Sequence, residues 1–450
     1  MSERISNASH SVATQTLGCK VSQYESTCIA EAFGKCGYEI GIFDEVCDVY
    51  VINTCTVTAE SDRKSRQMIR RAVKRNPSAI VAVCGCYSQT SPDEVAAIEG
   101  VSIVIGTKDK LCLPSLVDEV ARRRGAGDYT PLVRVESLDG AEFESMCITR
   151  APRTRAYVKI EDGCECRCTY CAIPGARGPV RSKAPEEVIA EVEGLYRSGT
   201  REVVLTGIET ASYGADFDSG YRLGDLLCEL NARGSAERIR LGSLTPELMT
   251  ESFVSKIREL DILVPHFHLS MQSGSDGVLR RMKRRYNTRM AKEALARLRR
   301  AIPGVEFTTD LMVGFPGESE EEFQQTLEFV REARFLDIHV FAYSRRPGTP
   351  AEGYDGQISE QTKHERSQAL IALKNEIRDE ILDGYVKRGE PLSVVMERAG
   401  ADGAYSSHAD SFVEVRVRVP KGMRDLHGEI LDVIPVAHEN GVIWAELTKM

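Results

Sequence analysis

Three absences bound this 450-residue chain before any motif is considered. No uninterrupted apolar run approaches the roughly 20 residues that a membrane-crossing helix needs, so no membrane partner is expected. The N-terminus, Met1-Ser2-Glu3-Arg4, has no hydrophobic stretch of the kind a secretory leader carries, so the expected location is cytoplasmic. There is also no surplus of positive charge. Lys and Arg number 58 against 67 Asp and Glu, a net charge of −9, which is not the balance of a generally adhesive nucleic-acid binder. A local basic patch would still suffice for phosphate contacts. Hydrophobic content of 42% and charged content of 28% are those of a globular protein, with length for two or three domains.

What the chain has in plenty is cysteine, 14 in all. In a reducing compartment these are metal ligands sooner than a disulfide framework. Cys164, Cys166, Cys168 and Cys171 fall within eight residues, and Cys164, Cys168 and Cys171 have the spacing C-x3-C-x2-C. A tight loop of three thiolates can hold three irons of a four-iron cubane and leave the fourth open to another ligand. Structural zinc usually takes two separated pairs of ligands, which this loop does not offer.

The N-terminal third alternates short β-like runs (12–17, 49–52 and 80–83) with helical stretches at about 23–35 and 63–74, which reads as βαβ winding onto a parallel sheet. Each run ends in cysteine: Leu17-Gly18-Cys19, Asn53-Thr54-Cys55 and Cys84-Gly85-Cys86. In a parallel open sheet these ends share one edge, where such folds place ligands. Cys19, Cys55 and Cys86 could therefore form a second three-thiolate site. Cys84 competes with Cys86, which is favoured because it follows Gly85 outside the apolar run.

From residue 156 a strand-then-helix rhythm repeats six times, with strand candidates at 157–160, 202–205, 239–241, 267–271, 307–312 and 338–341. This suggests a partial (β/α) barrel, with a doubly wound sheet as the competing arrangement. The cysteine loop, Thr206–Glu209, Ser270–Ser275, Asp310 with Gly314–Glu318, and Tyr343–Thr349 all follow strands and would share a C-terminal mouth. Glu209 is suited to accept hydrogen bonds from an ammonium group. Two runs are strongly basic, 63–75 and 280–300, and either could be a solvated helix face or a contact to RNA backbone.

The stretches Thr16–Ser26, Asn53–Thr58, Gly85–Gln89, the Cys164 loop, Gln272–Asp276 and Gly314–Glu318 together resemble the tRNA methylthiotransferase family of radical S-adenosylmethionine (SAM) enzymes. The resemblance runs from about Thr14 to Glu380. Asn53–Thr58 with Tyr343–Ala351 looks like the branch acting on N6-threonylcarbamoyladenosine at position 37 of tRNA. It implies two 4Fe–4S clusters: one on Cys164, Cys168 and Cys171 that cleaves SAM to a 5′-deoxyadenosyl radical, and one on Cys19, Cys55 and Cys86 that carries the sulfur for C2 of the adenine. A second SAM would supply the methyl group. Tyr170, packed near the SAM adenine, with Glu209, Gln272, Asp310, Gly314 and Phe315, are the candidates for cofactor contacts. A low-potential electron donor and a sulfur donor are implied partners beside tRNA. The alternatives are a methylthiotransferase acting on isopentenyladenosine-37 or a ribosomal-protein aspartate, and a non-catalytic metal-binding RNA-interaction protein. Three positions depart from the family pattern: Cys166 is an extra thiol, Gly175 stands where Tyr is common, and Gly242 where Ser is more usual.

The expected architecture is α/β throughout its first two parts. It comprises an N-terminal parallel-sheet domain (10–125), a linker (126–152), a partial (β/α)6 radical SAM barrel (153–384) and a small TRAM-like β-barrel (385–450). The last is a weak match, and from Tyr385 onward 8 Lys or Arg face 10 Asp or Glu, poor electrostatics for gripping phosphate unless Arg416 and Arg418 make one face basic.

Overall fold

The computed structural model describes residues 10–420 and 422–448. These form two compact units. The first takes in the chain as far as Ile148 with Asp162–Glu165 and Cys171–Arg181; the second holds Thr149–Glu161, Cys166–Tyr170 and the chain from Ser182 onward.

The first unit is built on six parallel strands: β1 (Ser11–Thr16), β2 (Glu39–Ile40), β3 (Val49–Thr54), β4 (Ile80–Gly85), β5 (Val101–Ile105) and β6 (Leu132–Arg134). Their order is β2-β1-β3-β4-β5-β6. Strands β3, β4 and β5 are buried along their whole length. That is why they are mostly apolar and do not alternate, with Asn53, Thr54 and Ser102 as buried exceptions: both faces of a parallel sheet are covered. On one face, Ile69 and Ala72 of the helix Ala59–Arg75 pack on Tyr50, Ile52, Val81 and Val83. On the other, Ile29 and Phe33 of Lys20–Lys35 and Leu113, Leu116 and Val117 of Leu113–Gly125 pack on Val12, Val49, Val51 and Ala82. The stretch read as a linker contributes the edge strand β6, paired in parallel with β5.

The second unit opens with β7 (Arg155–Lys159), and the short strands β8 (Glu161–Asp162) and β9 (Arg181–Ser182) follow in the chain. Next come β10 (Glu202–Thr206), β11 (Arg238–Leu241), β12 (His266–Gln272), β13 (Glu306–Val313) and β14 (Asp337–Ala342), each expected from the sequence rhythm. Two parallel sheets result, β11-β10-β7 and β12-β13-β14. The parallel bridge Leu244↔Leu269 stitches them, with Leu244 N donating to His268 O and Ser270 N to Leu244 O, both at 2.9 Å. The six strands therefore run in the order 7-10-11-12-13-14, a partial barrel.

The 29-residue helix Glu360–Arg388, capped by the Ser359 side chain, leads into a closed barrel. Its strands are β15 (Leu392–Ala399), β16 (Tyr405–Ala409), β17 (Glu414–Arg418), β18 (Ile430–Glu439) and β19 (Val442–Leu447). Alternation in Glu414–Arg418 sends Val415 and Val417 inward and the charged residues outward. Phe412 seats this barrel on the larger one: its ring stacks on His266 at 4.5 Å and lies under Arg240. Among the described residues no helix is long and apolar enough to cross a membrane.

Candidate metal and cofactor site

The winding direction of the first sheet reverses at β1, which has β2 on one side and β3 on the other. A crevice at the C-terminal edge of such a switch point is where open α/β sheets bind ligands. Cys19, Cys55 and Cys86 leave the sheet there, from β1, β3 and β4. Two glycines permit the approach. A Cβ on Gly18 would meet Ser22 Oγ at 2.8 Å and Cys55 Cβ at 3.4 Å. Gly85 has φ +100° and lies against β3, so that a Cβ would stand 2.5 Å from Thr54 O. The turn at Gly85 delivers Cys86 to the first position of the short helix Cys86–Thr90.

The three thiols lie within electrostatic reach of one another. Burial pushes the Cys55 thiol up to about 11, and the charges of Cys86 and Cys19 push the same way. Cys86 is raised by burial and by Cys19 but pulled down by Arg177. Without a compensating cation, thiolates here are unfavourable, and the soft, free-thiol donor set fits an iron–sulfur cluster. Cys84 has a different setting. It is fully buried in the apolar core beside Ile103 and Leu113, and burial pushes its thiol up to about 12.

Sequence reasoning missed the residues around Cys86. Arg177 Nε donates to Cys86 Sγ at 3.2 Å, while its Nη1 reaches Glu25 at 2.6 Å and Asp162 at 3.2 Å. Lys110 Nζ lies 2.6 Å from the other Glu25 oxygen. Arg177, Glu25 and Lys110 are all fully inaccessible. A signal did exist: Arg177 is the lone charged residue between Cys171 and Pro179.

In the second unit Cys168 is buried and Arg284 Nη1 donates to its sulfur at 3.3 Å. The adjoining Thr169 is pinned on three sides. Its N donates to Met282 O, its hydroxyl to Arg281 O, and its carbonyl accepts from Ala351 N. Tyr170 sits edge-on to Phe315, which is itself fully buried between Tyr170, Tyr343 and Tyr354. Phe315 thus backs Tyr170 from within the core. Gln272 ends β12 with φ +63°, a strained conformation for a residue with a side chain. Gly314 ends β13 at φ +70°, with its N–H on Glu318 at 2.6 Å.

Burial pushes the Glu209 carboxyl up to about 8, with Cys166 adding to the rise and Arg284 opposing it. Cys166 Sγ and a Glu209 carboxylate oxygen lie within 4.8 Å. Asp310 lies within β13. His268 and His339 hold its two oxygens, each at 3.1 Å, four residues before Gly314 along β13. A Cβ on Gly175 would meet nothing within 4 Å, so the missing Tyr leaves open space. At Gly242 a Cβ would lie 3.0 Å from Thr210 Oγ1, a tight fit for Ser.

Much of each basic run is internally engaged. Arg63 pairs with Glu60, Arg71 and Arg75 with Asp44, and Arg66 donates to Tyr87. Arg281 pairs with Glu322, Lys292 with Glu332, Arg297 with Glu251, and Arg299 donates to Ala333 O.

Comparison with known proteins adds independent findings. Residues 158–330 match the radical SAM superfamily, and residues 11–106 match the uncharacterized protein family UPF0004. The chain is 41% identical over 431 residues to threonylcarbamoyladenosine tRNA methylthiotransferase MtaB of Bacillus subtilis (strain 168), covering 94% of this chain and 93% of that protein. It is 33% identical over 384 residues to tRNA-2-methylthio-N(6)-dimethylallyladenosine synthase of Clostridioides difficile (strain 630), covering 84% and 79%. Among solved structures, the radical S-adenosylmethionine methyltransferase TsrM of Kitasatospora setae superposes with a TM-score of 0.54 at 16% identity. That match covers 77% of this chain and 74% of TsrM and speaks to the fold alone.

Proposed function

The chain belongs to the tRNA methylthiotransferase family of radical SAM enzymes, and from that premise we propose that it converts N6-threonylcarbamoyladenosine at position 37 of tRNA to its 2-methylthio derivative. The observation that carries this reading is the convergence of Cys19, Cys55 and Cys86 at one sheet edge, in a chain that also holds the C-x3-C-x2-C loop. One three-thiolate site is enough to cleave SAM; a second is needed to present sulfur.

In this reading Cys164, Cys168 and Cys171 hold one 4Fe–4S cluster and Cys19, Cys55 and Cys86 the other. Bound there, the clusters and SAM supply the electron, the radical and the sulfur that substitution at an unactivated aromatic carbon demands. The chain's own part is orientation. Arg284 donates to Cys168 and, through its other nitrogens, to Ser270 O and Tyr286 Oη, so it ties the loop to the end of β12. Phe315 backs Tyr170 edge-on, so that the Tyr170 ring would be available to hold the SAM adenine. Glu209 would accept hydrogen bonds from the amino group of SAM, a cation that would offset the cost of its buried charge. Gln272 and Gly314 bring backbone to the same rim. Asp310 would contribute from β13, with its oxygens held by His268 and His339.

The domain division at 10–125, 126–152, 153–384 and 385–450 belongs to the same proposal. So do a low-potential electron donor, a sulfur donor and action in the cytoplasm, where tRNA is modified. The test is mass spectrometry of tRNA nucleosides from a deletion strain. Threonylcarbamoyladenosine should accumulate while its methylthio form disappears. If the methylthio form persists, or methylthio-dimethylallyladenosine is lost in its place, the substrate assignment fails.

A further inference from the structure

The residues 171–181 do more than follow a cluster ligand. The short helix Ile173–Arg177 begins two residues after Cys171, and Gly178 O at its end accepts the backbone N–H of Cys164 at 3.0 Å. The Thr107 hydroxyl, next to the end of β5, donates to Ala176 O at 3.0 Å and pins the helix to the sheet edge. From that pinned position Arg177 reaches Cys86 Sγ with Nε, and Glu25 and Asp162 with its remaining nitrogens. A fully buried guanidinium is costly unless every face is partnered, and here one partner is a thiol assigned to the other cage.

We propose that Arg177 is a positioning residue for the second cysteine cage, holding Cys86 in ligand geometry and tuning the cluster bound there. The inference rests on the two-cluster reading above. Hydrogen bonds to ligand sulfur and nearby charge are levers on cluster potential. A cation donating to Cys86 Sγ favours the more reduced, more negative cluster and raises its potential. Glu25, held from its far side by Lys110, orients the guanidinium so that Nε faces the sulfur.

The test uses full-length protein reconstituted anaerobically with iron and sulfide, as wild type, Arg177→Gln and Arg177→Lys. Arg181→Gln serves as control, because Arg181 also meets Asp162 and is buried but makes its other contact to Pro179 O. The readouts are iron per chain and a redox titration followed by electron paramagnetic resonance, with the second-cage signal assigned by its absence in Cys55→Ala. Arg177→Gln should move that signal to lower potential or lose that cluster alone. Arg177→Lys, which keeps the charge but not the fork, should retain both clusters with a smaller shift, and Arg181→Gln should leave the potential in place. Wild-type potentials and iron in both Arg177 variants, or an equal shift in Arg181→Gln, overturn the inference. A wild-type chain that holds one cluster only overturns the two-cluster reading beneath it.

Discussion

Gly85 lies so close to Thr54 that a side chain there would place its first carbon 2.5 Å from the Thr54 carbonyl oxygen and 2.6 Å from Asn53 Oδ1. Strands β3 and β4 are bonded up to that point, with Thr54 opposite Gly85, so the neighbour is rigid backbone. Gly85→Ala should cost about 1–3 kcal/mol from the φ +100° conformation alone, and displace Cys86. The expected result is a lowered urea midpoint and selective loss of iron from the second cage, with 5′-deoxyadenosine still formed from SAM.

Cys84 and Cys86, two residues apart, should behave oppositely. Cys84→Ala removes a core atom group at a cost of about 1 kcal/mol and leaves iron content unchanged. Cys86→Ala should lose about four of roughly eight irons per chain, and because it leaves buried Arg177 Nε without its sulfur partner it should also lower the apo-protein melt. Iron and sulfide analysis of the two reconstituted variants decides between them.

Asp310 predicts an acid-limb effect. Burial works against its charge, but hydrogen bonds from His268 and His339 outweigh it and hold the carboxyl well below the usual range. A lowered folded value means the stabilisation is present above the unfolded value of about 4 and is lost as pH falls through the folded one. Asp310→Asn should therefore be less stable than wild type by about 1–3 kcal/mol at neutral pH, with the gap narrowing below about pH 4. Thermal midpoints from pH 3 to 7 measure it.

How much of this was legible in the sequence follows a physical line. The strands leading to Cys55 and Cys86 could be read because a buried parallel sheet demands mostly apolar runs and puts its ligands where they stop. Strands β16 and β18 could not: Tyr405–Ala409 is largely small or polar, and Ile430–Glu439 contains Pro435 and two acids. The expected stretch 126–152 looked like a linker because β6 has three residues. Arg177, Glu25 and Lys110 were invisible for a deeper reason. Charged residues read as surface, and only tertiary structure shows three of them closing on one another away from water. The ion-pair partners of the basic runs were hidden in the same way, since Asp44, Glu322 and Glu332 lie far off in sequence.

The C-terminal barrel offers a direct optical test, because Trp444 is the one tryptophan in the chain. Arg416 and Arg418 lie over its ring, 5.2 and 4.7 Å from the centroid. Arg416 is also paired with both oxygens of Asp402, which leaves exposed Arg418 as the phosphate-ready cation. Adding tRNA should change the Trp444 fluorescence. Arg418→Ala should weaken binding and reduce the salt slope by about 1. An unchanged emission at saturating tRNA would remove this face from the interface.

In the proposed mechanism two separate three-cysteine cages divide the work. Its most direct test is Cys55→Ala, assayed in one anaerobic reaction with SAM, reductant and tRNA carrying threonylcarbamoyladenosine. About four irons per chain, 5′-deoxyadenosine and no methylthio nucleoside are expected. Methylthio nucleoside formed by that variant would contradict it.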